Sequence, residues 1–482
     1  MTVGAKAKDA GIHQLIDSLV DHYQAIGLLQ DADRAYCRNL AFSLLQEDAR
    51  PYEGYDIPTA DALRILVRAA RERNLLAGEG TAFEDDFLAK LTNIFLPRPS
   101  EYTRLIEEKY RESPQQATDA MYQIAIDTDY IKHDRVSNNI HHRYRAPFGD
   151  IEVTINVSKP EKSPEEIRLA QTHDTGYPKC LLCLENGGLS DVPNPARAHH
   201  RVFPITLDGE PYYFQYSPYA YFNEHCIIFS HKHEPMQIHG RVIDRFLDFV
   251  DCLPHYFISA NADLPIVGGS ILTHDHYQGG RARFPIDDAQ ETVLYHSEHL
   301  RVAKLSWPIS AVRLQGERSA VASAAKRLMD SWTTYSNPAL DIIAKTDQPH
   351  NTVNIMARKE KDYQLTLMFR NNRSDETHPD GIFHTSPIWQ VVKRENIGII
   401  ETLGLAILPK RLVDEMNRFD ELPAYRQWCL AVPSNLPPLD QLGYTFSRIL
   451  VDCGVFKDDS TSQRAFDDFL RLAYENTASV GV

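Results

Sequence analysis

Leu264-Pro-Ile-Val-Gly-Gly-Ser-Ile-Leu272 leads into His274-Asp275-His276-Tyr277-Gln278 and then Gly279-Gly280. The first part is an apolar run bounded by glycine, the pattern of a chain entering a β-strand. With the strand continued through the motif, period-2 alternation sets His274, His276 and Gln278 on one face. Two imidazoles and an amide then converge. An imidazole serves as nucleophile, base or metal ligand according to its neighbour. The glycine pair lets backbone approach a ligand with no side chain in the way. An edge strand carrying two solvated histidines has the same spacing, so the motif by itself leaves both readings open.

Upstream, Cys180-Leu-Leu-Cys183 runs into Glu185-Asn186-Gly187-Gly188. Such a pair is a zinc half-site, two buried small hydrophobes, or a redox pair. No thioredoxin-like pattern surrounds it. A four-coordinate zinc site needs two more ligands, and His231, His233 and His274 are the donors within reach of the motif. A Cys₂His₂ site is closed, so its metal holds backbone in place and activates no water. It would fix the strand carrying His276, as a preorganised nucleophile requires.

The chain has 482 residues, enough for two or three domains. Hydrophobic residues are 43% and charged residues 24%, the balance of a globular protein in water. The longest apolar runs fall well short of the roughly 20 residues of a membrane span. The N-terminus lacks a basic segment followed by an apolar core, so no secretory signal is expected. A net charge of −15 argues against a nucleic-acid or anionic-membrane surface. It leaves room for a local donor cluster around a phosphate. Seven cysteines, an odd number in a long chain, argue against a disulfide framework and for the cytoplasm.

Helical spacing dominates up to about residue 130. Ile12, Leu15, Ile16, Leu19, Val20, Tyr23 and Ile26 recur at helical spacing. Thr81-Ala-Phe-Glu84 has the form of a capping box ahead of Phe87, Leu88, Leu91, Ile94 and Phe95, with Pro97 and Pro99 as the stop. Ser113-Pro114 starts another helix. This region reads as a packed scaffold, with a partner or lid surface as its functional alternative.

Later, Asp150–Val157 alternates as a half-buried strand does, and Ser163-Pro164-Glu-Glu166 starts a short helix. Tyr212 to Gln237 is aromatic and strand-like, as core or as a base-stacking surface. Val242–Phe257 reads as an amphipathic helix with Phe246, Phe249, Val250 and Leu253 inward. Residues 318–333 and 461–475 read as helices, and Gln364–Phe369 as a strand. Arg281 and Arg283 face either a phosphate or solvent.

The ordered set Cys-x-x-Cys, Phe229-Ser230-His-Lys-His233, Gly-Gly-Ser and His-x-His-x-Gln resembles the galactose-1-phosphate uridylyltransferase family of the histidine-triad superfamily. Its wording is similar to the second class of that family, found in lactobacilli and related Gram-positive bacteria. Phe214-Gln-Tyr-Ser-Pro-Tyr219, Asn261-Ala-Asp-Leu-Pro-Ile-Val-Gly-Gly-Ser270, Asp380-Gly-Ile-Phe-His384 and Glu395-Asn-Ile-Gly398 extend the likeness over roughly 140 to 415. The helical N-terminal extension also fits that class.

The resemblance implies an α+β fold, with histidine-triad-like antiparallel sheets and packed helices after a helical N-terminal region. The expected parts are a helical region over 1–140, a catalytic histidine-triad-like domain over 141–300, and a C-terminal α+β domain over 301–482. By the same resemblance His276 attacks the α-phosphorus of UDP-glucose and Gln278 hydrogen-bonds the transferred phosphoryl group. Cys180, Cys183, His233 and His274 match metal ligands, which implies one structural zinc and no organic cofactor. Substrate contacts are expected from Asn261, Gly269, Ser270, Arg281 and Arg283, with Ser270 one position out of register. The strand matching a second metal site, Gln364–Phe369, has no histidine.

The implied reaction passes uridylate from UDP-glucose to His276 and on to galactose 1-phosphate, in an enzyme that can be a homodimer. The alternatives are a histidine-triad nucleotidyl hydrolase or phosphorylase, and a non-catalytic zinc-stabilised sugar-nucleotide-binding protein. Glutamine rather than a third histidine at 278 favours transfer over hydrolysis by that analogy.

Overall fold

The computed structural model describes residues 10–158, 176–190, 196–269, 271–394 and 396–475. The helix expected at Ser163, together with Ser270 and Glu395, lies outside them. The chain divides into two compact units, one of Met1–Asp134, Lys159–Pro204 and Tyr213–Ala220, the other of Arg135–Ser158, Ile205–Tyr212 and Tyr221–Val482.

The first unit is built on α1 (Ile12–Ala25), α2 (Arg34–Leu44), α3 (Thr59–Glu72), α4 (Thr81–Asn93), α5 (Pro99–Glu112) and α6 (Pro114–Asp127). The stripe expected on α1 is its core face: Leu15, Ile16, Leu19, Val20 and Tyr23 are buried, whereas Ile26 at the end is exposed. The Ser113 side chain accepts from the Gln116 amide at 3.1 Å and Pro114 takes the first helical position, as its missing N–H allows. The Thr81 capping box does not form. Gly80 takes the cap with φ +112°, a backbone conformation closed to a β-branched residue, and Thr81 is already inside the helix. Pro99 starts α5 rather than ending α4.

In the second unit β1 (Ile140–Ala146) pairs antiparallel with β2 (Gly149–Asn156), which pairs parallel with β13 (Leu405–Pro409). A ten-stranded sheet carries the motif. Its strands are β3 (Phe203–Leu207), β4 (Glu210–Tyr216), β5 (Cys226–Ser230), β6 (Phe257–Ala260) and β7 (His276–Gly280), then β8 (Glu291–His296), β9 (Leu300–Leu305), β10 (Ala311–Gly316), β11 (Asn351–Lys359) and β12 (Tyr363–Asn371). Their order is β3-β4-β5-β7-β6-β11-β12-β10-β9-β8, and every pairing from β5 onward is antiparallel. The fold is α+β. Among the described residues no helix is long and apolar enough to cross a membrane.

Three expectations about element bounds change. The aromatic stretch after Tyr212 is two strands, β4 and β5, and Tyr212, Phe214 and Tyr216 are core. The helix expected over Val242–Phe257 is α7 (Gly240–Cys252). Pro254 cannot continue it, and Phe257 already begins β6. Phe246, Phe249, Val250 and Leu253 are buried, as expected. The described residues of 264–272 form no strand: Ile266, Gly268 and Ile271 have φ of 74°, 94° and 53°. The strand begins only at His276, so His274 precedes it.

The remaining helices of this unit include α8 (Arg318–Thr334), α9 (Ile399–Thr402), α10 (Pro438–Cys453) and α11 (Ser460–Leu470). On α8, Trp332 is buried against Phe369 and Phe469, and its indole N–H donates to the Thr352 carbonyl at 2.9 Å. Helix and sheet are thereby locked together across one apolar layer.

Candidate active site

Strand β7 lies between β5 and β6, with Phe229 opposite His276, Ile227 opposite Gln278, and Ser259 opposite Gln278 on the other side. Alternation sends His276 and Gln278 to one face and Asp275 and Tyr277 to the other. On the latter face Asp275 accepts from Tyr212 Oη at 2.7 Å, Tyr277 Oη at 3.0 Å and Arg245 at 3.3 Å. Arg245 continues to Glu210 at 2.6 Å. This buried ionic group fixes the strand from behind.

His276 is 4% exposed, and its Nδ1 lies 2.8 Å from the His274 carbonyl oxygen. A carbonyl only accepts, so Nδ1 carries the proton and Nε2 keeps its lone pair. Burial holds the ring below the ordinary histidine range, although the His274 carbonyl pulls the other way. The imidazole is therefore neutral at pH 7 with Nε2 as its nucleophilic atom. His274 Nε2 lies 2.9 Å from the Ser230 carbonyl oxygen, which by the same logic leaves Nδ1 as the donor for a metal.

The rings of His233 and His274 are 5.0 Å apart, edge to face. In the other unit Cys180 Sγ and Cys183 Sγ are 3.7 Å apart and not joined by a disulfide, and the Asn186 amide donates to both cysteine carbonyls at 2.7 and 2.8 Å. Two sulfurs about 2.3 Å from a tetrahedral zinc stand roughly 3.8 Å from one another, so the thiol spacing fits that ion. Thiols and imidazoles are each donor types that a structural zinc takes.

The other expected residues fall in two places. Asn261 is 5% exposed and its Oδ1 accepts from the Ile399 amide at 2.7 Å, tying β6 to the start of α9. Gly268 and Gly269 are tightly enclosed: a Cβ on Gly268 would stand 2.3 Å from the Gly398 Cα, and one on Gly269 2.7 Å from the Ala262 carbonyl oxygen. Glycine at these positions permits close packing of backbone on backbone. Arg281 and Arg283 follow β7 and are exposed. Arg281 stands 3.7 Å from Glu224, and Arg283 lies 3.3 Å from Glu360. Each cation thus has a carboxylate neighbour, and they do not share one.

Spacing in the sequence does not single out His225. It is 3% exposed, and its Nε2 lies 3.2 Å from Gln278 Oε1. The signal was its position one residue before β5, whose Ile227 pairs with Gln278. A cavity of about 1120 Å³ lies wholly in the helical unit, lined by residues such as Tyr36, Leu40, Phe95 and His200. It contains none of the motif.

Burial lowers the pKa of His199, His200 and His276, and that of His225 to about 4. In the unfolded chain a histidine titrates near 6.5. Between those values the unfolded state takes up protons that the folded state refuses. Stability is therefore complete above about pH 6.5 and falls as pH drops toward 4, by roughly 3 kcal/mol from His225 alone. Urea unfolding at pH 7 and pH 5 should show a lower midpoint at pH 5; an unchanged midpoint contradicts this.

The chain matches the family described as galactose-1-phosphate uridyl transferase, N-terminal domain, over residues 29–235. It is 39% identical over 494 residues to the galactose-1-phosphate uridylyltransferase of Bacillus subtilis, covering 94% of this chain and 96% of that one. Identity to the Clostridium acetobutylicum enzyme of the same name is 37%, over 96% of this chain and 100% of that one. For the Caldanaerobacter subterraneus enzyme it is 36%, over 97% and 98%. Among solved structures, the yeast Ap4A phosphorylase Apa2 in complex with AMP aligns at 12% identity and a TM-score of 0.37, over 71% of this chain and 96% of that one.

Proposed function

The chain belongs to the galactose-1-phosphate uridylyltransferase family and is a nucleotidyltransferase, and we propose that it exchanges uridylate between UDP-glucose and galactose 1-phosphate through His276. The observation that carries the mechanism is the 2.8 Å contact of His276 Nδ1 with the His274 carbonyl oxygen, which can only accept and so leaves Nε2 as the neutral nucleophile. In the first step Nε2 bonds to the α-phosphorus of UDP-glucose. The bond from that phosphorus to the bridging oxygen breaks, and glucose 1-phosphate leaves with the electron pair. In the second step a phosphate oxygen of galactose 1-phosphate attacks the same phosphorus, the P–N bond breaks, and the neutral imidazole returns. One difficult phosphoryl transfer becomes two easier ones.

Gln278 is the neutral amide that donates to the phosphoryl oxygens as charge gathers on them. Substrate contacts come from Asn261, Gly269, Ser270, Arg281 and Arg283, with Asn261 and Gly269 acting chiefly through the backbone they hold. The division of labour follows a helical region over 1–140, a catalytic segment over 141–300 and a C-terminal segment over 301–482. A cytoplasmic location and a homodimer complete the reading.

The test is an exchange assay with UDP-glucose and galactose 1-phosphate, beside glucose 1-phosphate, N-acetylhexosamine 1-phosphate and orthophosphate as acceptors. Turnover with a hexose 1-phosphate supports the reading. Release of nucleotide to water or orthophosphate alone overturns it.

A structural zinc on Cys180, Cys183, His233 and His274 belongs to the same proposal, supported by the thiol spacing and the donor set. With four protein ligands it would hold the backbone ahead of His276 and do no chemistry of its own. Elemental analysis of purified protein should find about one zinc per chain, and of Cys180→Ser far less. A wild-type content below about 0.1 per chain contradicts the zinc.

A further inference from the structure

The Gln278 side chain has two ends of opposite use. Its NH₂ group can donate to phosphoryl oxygens, whereas its carbonyl oxygen would repel them. A free carboxamide can present either end by turning about its last bond. His225 is placed to decide between them.

The His225 ring is stacked with Tyr221 at 5.3 Å and tilted against Phe222 at 4.4 Å. It follows Glu224, whose φ of 52° turns the chain tightly into β5. The Tyr221 backbone N–H points at His225 Nδ1 from 3.5 Å, and an N–H can only donate. Nδ1 is therefore the acceptor, and in the neutral ring Nε2 carries the proton. That N–H faces Gln278 Oε1 at 3.2 Å. Burial lowers the ring's pKa to about 4, so it keeps this neutral tautomer through the physiological range. From the other side Ser259 Oγ donates to the Gln278 backbone carbonyl at 3.1 Å, which fixes the strand at that residue.

We propose that His225 is a positioning residue: its Nε2–H holds the Gln278 carboxamide by the oxygen, so that the amide presents its NH₂ end to the phosphoryl group in transfer. The inference rests on the roles proposed for His276 and Gln278. His225 touches no substrate in it and acts only through Gln278. A phenylalanine could fill the space between Tyr221 and Phe222 but could not donate, and an asparagine is too short to reach. A glutamine places an N–H near the position of Nε2.

The experiment is a cycle on the full chain, reading single-turnover uridylylation from UDP-glucose and the split between kcat and KM. Gln278→Ala is expected to cost about 10²–10³-fold in rate, the cost of losing one such donor. His225→Phe and His225→Asn should each cost roughly tenfold or more in kcat with KM nearly unchanged, because a misoriented amide opposes the same charge. His225→Gln should recover most of that loss. Adding His225→Phe or His225→Asn to Gln278→Ala should cost nothing further, since the two residues act as one unit.

If wild type transfers uridylate but the losses are additive, or if His225→Gln is no better than His225→Phe, the inference is overturned and the proposed function stands. A wild type that forms no uridylyl-enzyme overturns the proposed function, and this inference with it. Both removal variants acting only on thermal stability, with kcat intact, would also end it.

Discussion

Replacing His276 with alanine is expected to lower uridylyl exchange by at least about 10⁴-fold, the scale on which enzymes lose a covalent nucleophile. The loss should fall on kcat, because the substitution leaves the residues proposed for binding in place. Neither His274 nor His225 is placed to take over. His274 donates Nε2–H to the Ser230 carbonyl. His225 faces the Gln278 oxygen with one nitrogen and the Tyr221 amide with the other. The fold should tolerate the change, since the hydrogen bond lost is to a carbonyl two residues away. Circular dichroism with steady-state kinetics checks both halves. A variant with unaltered structure and exchange within tenfold of wild type contradicts the role of His276.

The second large effect is on stability. Asp275→Ala is expected to cost about 3–5 kcal/mol, the scale for removing one partner of a buried ion pair. Asp275 is 3% exposed and its carboxylate is shared by Arg245, Tyr212 and Tyr277. Alanine leaves a guanidinium that is itself 6% exposed, with Glu210 as its remaining ion-pair partner among the described residues. The two phenols lose their common acceptor as well, and a buried donor without an acceptor is expensive. The pair's net worth against an all-apolar replacement can be near zero; it is the half-removal that costs. The melting temperature should fall on the order of 5–10 °C. Asp275→Asn, which keeps a carbonyl oxygen for the phenols, should lose less. An alanine variant within about 0.5 kcal/mol of wild type would show that the group does not hold β7.

Much of this was legible in the sequence because its cause is local. The α1 stripe and the Ser113-Pro114 start follow from spacing and capping, and the structure forms both. The alternation over Asp150–Val157 is β2, covering Gly149–Asn156. What the sequence hid has non-local causes. Residues 264–272 are as apolar as a strand, yet Ile266, Gly268 and Ile271 take positive φ and Gly268 packs against Gly398 and Ile397, nearly 130 positions away. Periodicity cannot see that contact. The two histidines of the motif were expected on one strand face; His274 instead lies before β7 and gives its carbonyl to His276. That detail sets the tautomer, and no spacing rule contains it. The role of His225 is hidden from spacing for the same reason, since its link to Gln278 comes from the register of β5 on β7. For Arg281 and Arg283 strand spacing leaves phosphate and solvent both open, and the carboxylate neighbour that the fold gives each of them is a further non-local contact.

The most direct test of the account is to incubate the protein with UDP-glucose alone and locate the product by peptide mass spectrometry. One uridylyl group per chain is expected on the imidazole of His276, acid-labile and base-stable, and discharged as UDP-galactose when galactose 1-phosphate is added. Exchange that proceeds with no adduct on His276, or with an equal adduct in His276→Ala, contradicts it.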